Sequence, residues 1–320
     1  YQSGGSVTQS NQAYGTSTAD TSGVEVVNLG TFTLANSTVT TSGNTTSNDN
    51  SSFIGQNAGV LAASGSTITL TDCAITTTGT GANGAFAYGS GSKVNLTRVA
   101  INCSADGAHG VDATNTGTLA LTDVTVSTAG AHGAAISTDR GGGTITVSGG
   151  TFSSSGTDSP GIYCTGTITV DGATVSGVGS EAAVIEGANS IVLTGTTLSG
   201  AKGSRDRGLL IYQSESGDAS GKQGVFTMTG GSFTWPSTGP AIYVTNTTGV
   251  VSLKGVTLKN SSVTLLKAAS DQWGTTGSNG GSALLTADGQ VLTGSLVADS
   301  LSSLTLTLKN SSSLTGAINA

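Results

Sequence analysis

The sequence predicts an all-β chain wound as a single right-handed parallel β-helix, with three short strands per coil and about 23–26 residues per coil. Three observations carry that reading. A nine-residue pattern recurs along the chain, a second apolar motif follows each copy, and the composition is one that helices cannot use. Of 320 residues, 50 are Gly and only 9% are charged, while Ser and Thr make up about a third. A chain so poor in Leu, Lys and Glu builds few amphipathic helices. Disordered chains combine low hydropathy with high charge, and this one has neither extreme. Ordered Thr/Val/Ile-rich strands with Gly at their corners remain.

The nine-residue pattern reads TITLTDCAI (67–75), KVNLTRVAI (93–101), TLALTDVTV (118–126), TITVSGGTF (144–152), TITVDGATV (167–175), SIVLTGTTL (190–198), VFTMTGGSF (225–233) and VVSLKGVTL (250–258). TFTLANSTV (31–39) is an earlier copy, and the starts from 67 onward lie 26, 25, 26, 23, 23, 35 and 25 residues apart. Each copy is two strands about a corner. The first strand buries two alternate columns, Ile68 to Val251 and Leu70 to Leu253, because side chains alternate across a strand. The corner holds Asn36, Asp72, Asp123, Gly149, Gly172, Gly195, Gly230 and Gly255. These residue types tolerate a left-handed backbone. The second strand buries the column from Val39 through Ile75 and Phe152 to Leu258.

The second motif, GVLA (59–62), GAFA (84–87), GVDA (110–113), GAAI (133–136), GIYC (161–164), AAVI (182–185), GLLI (208–211) and AIYV (241–244), closes the coil as a third strand. Three strands in this length suit a right-handed helix, since a left-handed one of hexapeptide units needs about 18 residues per coil. Stacked coils then share one core in three parallel sheets, about eight to ten coils in all. Residues 31–320 form this β-helix, and residues 1–30 are expected to be an extended capping or docking segment without the repeat. Longer connections at 42–57, 213–223 and 270–280 project from corners, where insertions cost little. After residue 280 the repeat shortens, VLTGSL (291–296) being echoed by SLTGAI (313–318).

Segments such as DRGGGTITVSGGTFSSSGTDSPGIY (139–163), GSEAAVIEGANSIVLTG (179–195), LLIYQSESGD (209–218) and SNGGSALLTADGQVLTG (278–294) resemble the adhesin-like β-helix proteins of bacterial and archaeal cell surfaces. These are relatives in fold of pectate lyases and autotransporter passengers. The resemblance covers most of 30–320. It implies a secreted, cell-surface location and an architecture, with no chemistry attached.

The net charge of −7 and the pI near 4.6 leave no electrostatic footprint for nucleic acid. No apolar run approaches the roughly 20 residues of a transmembrane helix. The start at Tyr1 and the lack of a signal peptide read as an exported product after processing or trimming. Cys73, Cys103 and Cys164 are odd in number, lack metal-ligand spacing and fall at apolar positions, so they read as buried thiols. No metal and no cofactor is implied. Eight N-x-S/T sequons, at Asn36, Asn44, Asn50, Asn95, Asn102, Asn246, Asn260 and Asn310, are close to chance in so Ser/Thr-rich a chain and decide nothing about glycosylation.

Three places carry candidate sites. His109 and His132, in DGAHGV and AGAHGA, are read as equivalent points of adjacent coils, with Asp106 nearby. Stacked about 5 Å apart, such a pair could move a proton or hold a metal, although an exposed corner ladder is the simpler identity. The outward column of the third strand reads Leu61, Phe86, Asp112, Ala135, Tyr163, Val184, Leu210 and Tyr243. Solvated strands do not carry such a stripe. Either the N-terminal 25 residues lie across it, or it contacts another subunit or a glycan stacking on Tyr163 and Tyr243. Outward positions of the second strand are hydroxyls: Thr125, Ser127, Thr151, Ser153, Thr174, Ser176, Thr197 and Ser199. On the first strand the Thr array suited to binding ice is interrupted by Lys93, Asn95, Ala120 and Val192.

The scattered acidic residues give no compact catalytic cluster, so the expected function is a non-catalytic extracellular structural or adhesive protein. Its partners would be other copies of itself or a surface glycan or protein. SLTGAIN before Ala320 reads as an uncapped coil, so head-to-tail stacking into a filament belongs to this expectation. A polysaccharide lyase or glycoside hydrolase is the alternative, and two carboxylates about 5–10 Å apart in a groove would favour it. Ice binding is a minor third.

Overall fold

The computed structural model describes residues 1–200, 206–236, 238–259 and 263–320; the sequon at Asn260 lies outside them. The chain winds as a parallel β-helix whose strands form three stacked sheets. Among the described residues sheet A has 13 strands, sheet B 12 and sheet C 10, and a pair, Val291–Thr293 with Ser313–Thr315, lies beside them. Successive coils add one strand to each sheet. Val111–Thr114 enters sheet A, Thr118–Thr122 sheet B and Thr125–Thr128 sheet C, each parallel to the strand one coil away.

The two columns of the first strand and the column of the second are the core. Ile68, Val94, Leu119 and Ile145 stack in register, as do Leu70, Leu96, Leu121 and Val147. Phe152 and Phe226 are fully buried among them. At about 25 cal/mol per Å² of apolar surface, burial of a continuous core of this kind is the main driving force for the fold. Every corner residue named above has positive φ, and the coil lacking Asx or Gly there adopts it too, at Arg98 (φ 52°). Its strain is offset by a bidentate ion pair to the corner below, with Arg98 Nε and Nη2 donating to Asp72 at 2.7 and 2.8 Å.

Three differences from expectation matter. Sheet B, with one strand per coil, gives twelve coils rather than eight to ten. The first of them is made by residues 2–16: Gln2–Ser3, Ser6–Ser10 and Ala13–Thr16 pair with Val24–Val27, Thr31–Ala35 and Thr38–Thr41. Gln9 stands over Leu34, and this polar residue in a leucine column hid the repeat. That segment therefore does not lie across the third strand.

The third difference is a register. The sheet A strand after His132 is Ile136–Thr138, with Val111 paired to Ile136 and Asp112 to Ser137. Ala135 thus leaves the outward column and joins the row that begins these strands, Gly59, Gly84, Gly110 and Gly161. Only the smallest residues fit there: a Cβ on Gly84 would sit 2.4 Å from the Gly110 carbonyl oxygen.

Candidate functional site

The outward face of sheet A, where the apolar stripe was expected, is covered by the chain's own insertions. Leu61, Phe86, Val184, Leu210 and Tyr243 all point outward and are all buried, and Tyr163 is half-buried. Three lids do this, and they are the three long connections the sequence singled out.

Lid one, residues 43–57, contains the helix α1 (Asn48–Ile54). Ser47 caps it by accepting from the Asn50 N–H, and Asp49 in the first turn suits the helix dipole. Gly55 ends it at φ 73°, where a Cβ would also meet the Phe86 ring at 2.5 Å. The helix is pinned by the Asn83 amide donating to Ser51 O and by the Thr114 hydroxyl donating to Phe53 O at 2.8 Å. Beneath it Leu61, Phe86, Ala58 and Val27 form a small apolar cluster.

Lid two, residues 213–222, is held by Gln213 Nε2 donating to Ala219 O and Gly221 O, and by Asn246 donating to Gln213 O. Lid three, residues 270–281, lays Trp273 against Tyr212, ring centroids 4.5 Å apart. Arg207, 4% exposed, clamps this lid. It donates to Glu181 at 3.2 Å and Asp271 at 3.3 Å, and its guanidinium lies 4.7 Å from the Tyr243 ring centroid and 5.4 Å from that of Trp273. Burial, with Asp271 beside it, pushes the Tyr243 phenol up to about 12.

Between lids one and two the outward face is polar. One column holds Asp112, Ser137 and Tyr163; the next holds Thr114, Asp139, Thr165, Glu186 and Tyr212. Glu186 is buried and fully partnered, accepting from the Tyr163 and Tyr212 hydroxyls, each at 2.7 Å, and from the Ser214 hydroxyl. Burial first, and Glu186 after it, raises both phenols, which remain donors. Asp112 is the opposite case. It is 0% exposed, and neither carboxyl oxygen has a hydrogen-bond partner; the Ser137 hydroxyl lacks one too. Burial pushes Asp112 well above the carboxylate range, and Asp139 adds to the shift. Asp139 is pushed up to about 7 by burial, then by Asp218 and Glu186.

Arg140 spans the gap above this row. Its guanidinium lies 3.8 Å from the Phe53 ring centroid on lid one and donates to Asp218 on lid two at 2.7 Å. Beside it, Arg140, Asn189, Thr165, Asp218 and neighbouring glycines line a hollow of about 470 Å³. Chemically, the row sets three carboxyl groups, Asp112, Asp139 and Glu186, on one rigid sheet beneath the lids.

The other predicted residues form no compact cluster: His109 feels the charge of His132, but the two do not stack in register. His132 is exposed and pairs with Thr157 O, while His109 faces Ala134, whose N–H it accepts at Nδ1 at 3.0 Å. The two are two residues out of register, by the same shift that displaced Ala135. Burial holds His109 down at about 4, so it is a neutral acceptor in a turn. Asp106 accepts the Ala131 N–H at an exposed corner. Cys73, Cys103 and Cys164 are buried and free, and burial pushes Cys103 up to about 12 and Cys164 to about 11.

Among the described residues no group of three or more His, Cys, Asp or Glu is placed to hold a metal ion. Among the described residues no helix is long and apolar enough to cross a membrane. The chain matches no protein-family model, no curated protein and no solved structure.

Proposed function

We propose that this chain is a non-catalytic extracellular β-helix, structural or adhesive, that presents its bare faces to a surface glycan, a protein or further copies of itself. The observation that carries this is the outward face of sheet C. Thr125, Thr151, Thr174 and Thr197 stack in register, as do Ser127, Ser153, Ser176 and Ser199. Such uncharged hydroxyl ladders make a flat, hydrogen-bonding surface with nothing in it to break a bond. The acidic row on sheet A is buried beneath the lids.

One observation favours the second reading, polysaccharide cleavage. Asp139 and Glu186 flank Thr165, two rungs apart, which is about 10 Å between Cα atoms, a separation at which two carboxyl groups can flank a glycosidic bond. Incubating the chain with a panel of acidic and neutral polysaccharides, with and without Ca²⁺, separates the two. Retention on one or more glycans without new chain ends is expected. Cleavage lost in Asp139→Asn or Glu186→Gln would overturn the non-catalytic reading. Particle size measured against concentration tests stacking, which a strictly monomeric chain would contradict.

A further inference from the structure

Asp112 is a carboxyl group that the fold has closed in with little to compensate its charge: the Ala113 N–H and the Ser137 hydroxyl stand near it and oppose, but do not cancel, the effect of burial and Asp139. Both oxygens are shut off from a water-sized sphere and neither is hydrogen-bonded. Its neighbour one rung on, Ser137, turns its hydroxyl toward this carboxyl without completing a full hydrogen bond. Asp139, two residues further along the same face and 8% exposed, accepts the Arg140 backbone N–H through Oδ1.

The charges facing this pair come from every element packed around it. Glu186 lies two rungs on, with the Tyr163 and Tyr212 phenols bound to it. Lid two contributes Asp218, lid one contributes Asp49, and Arg140 lies among them. Among the described residues the cation at this pair is Arg140, already engaged by Asp218 and stacked on Phe53. A buried carboxylate ion without a counter-ion is costly enough that such a group neutralises instead.

We infer that Asp112 and Asp139 are a proton-operated latch, whose acid form lets lids one and two close over sheet A and whose ionisation releases them. When the pair ionises, each carboxyl gives its proton to solvent, and two new negative charges appear beneath Arg140. Asp139 then competes with Asp218 for that guanidinium and repels Asp218 and Glu186. Asp112 can be solvated only if the cover above it lifts. With Asp139 pushed up to about 7 and Asp112 raised as well, ionisation of the pair falls above the ordinary carboxylate range. Release would bare Phe86 and Leu61, so an apolar patch appears on a face that is otherwise closed. Lid three, clamped by Arg207, has no such pair and serves as an internal control.

The test is limited proteolysis of the full chain between about pH 5.5 and 8.5, corrected with an unfolded reference substrate, alongside carbon-13 NMR titration of its aspartate carboxyls. Cleavage within 43–57 and 213–222 should accelerate roughly tenfold over that range, while 270–281 does not change. The Asp112→Asn/Asp139→Asn double variant should be flat. Lids equally protected at both ends of the range would overturn the inference, as would a double variant that keeps the wild-type response. Protection restored by Ca²⁺ at alkaline pH would also overturn it, by showing a cation site. Should the double variant not fold, the titration alone decides, because Asp112 and Asp139 titrating in the ordinary carboxylate range would refute the latch.

Discussion

Replacing Arg207 by Met keeps the length of the side chain and removes its charge. In the folded protein this strands Glu181, whose side chain is 12% exposed, and Asp271, which is 30% exposed. Breaking a buried ion pair by removing one partner costs about 3–5 kcal/mol. The partial exposure of Asp271 lets water recover some of this, while loss of the stacking on Tyr243 and Trp273 adds about 1 kcal/mol. The expected loss is therefore about 3–4 kcal/mol. In a solenoid, each coil senses mainly its neighbours, so the loss should concentrate on lid three and the coils beneath it. Thermal unfolding followed by circular dichroism should show an earlier or broader transition, and limited proteolysis should cut first within 270–281. Arg207→Lys should recover only part of the loss, since an ammonium cannot span both carboxylates and stack. If Arg207→Met unfolds with the wild type and its lid resists protease equally, then Arg207 is not the clamp of that lid.

Gly84→Ala should destabilise by more than the roughly 1 kcal/mol that separates Gly from Ala in backbone preference, because its Cβ would lie 2.4 Å from a backbone oxygen of the next coil; chemical denaturation measures this. Stability should fall as pH rises. With Asp139 raised from 3.8 to about 7, the folded chain keeps a proton that the unfolded chain has already lost, so stability declines between about pH 4 and 7 and levels off above. For that group alone the upper bound is roughly 4 kcal/mol, and Asp139→Asn should flatten the profile measured by denaturant titration. The three thiols should resist alkylation in the native chain and react after unfolding, since their thiolates are disfavoured by burial; prompt labelling of Cys103 would contradict its place in the core.

Sheets B and C were legible in the sequence because their strands keep the two-residue alternation and a corner residue fit for positive φ. Arg98 shows that the fold dictates the corner conformation even where the residue type does not advertise it. Sheet A was legible as a third strand, but the meaning of its outward column was not. Leu61, Phe86 and Tyr243 announce a cover, while the covering segments carry no repeat and could not be assigned by pattern. The acidic row was hidden by one register. AHGAAI imitates the glycine-led start of the third strand two residues early, which placed Ala135 outward and left Asp139 beyond the strand. A signal was available: Gly59 precedes Thr67 by 8 residues, Gly84 precedes Lys93 by 9 and Gly110 precedes Thr118 by 8. Counting back 9 from Thr144 reaches Ala135, and Ser137 and Asp139 then fall on the outward face. That Glu186 would be partnered and Asp112 would not depends on tyrosines and lids brought together from distant coils, which no local pattern encodes.

The claim on which the functional reading rests is that sheet A is closed by its own chain, leaving the hydroxyl faces as the working surface. Hydrogen exchange of the intact protein at about pH 5.5 tests this most directly. Amides of 43–57, 213–222 and 270–281 that are hydrogen-bonded to the coils, together with those of Val111–Thr114 and Ile136–Thr138, should be protected to a similar degree. Lid amides exchanging at the rate of an unstructured peptide would show an open acidic cleft on sheet A, and the non-catalytic account would fail.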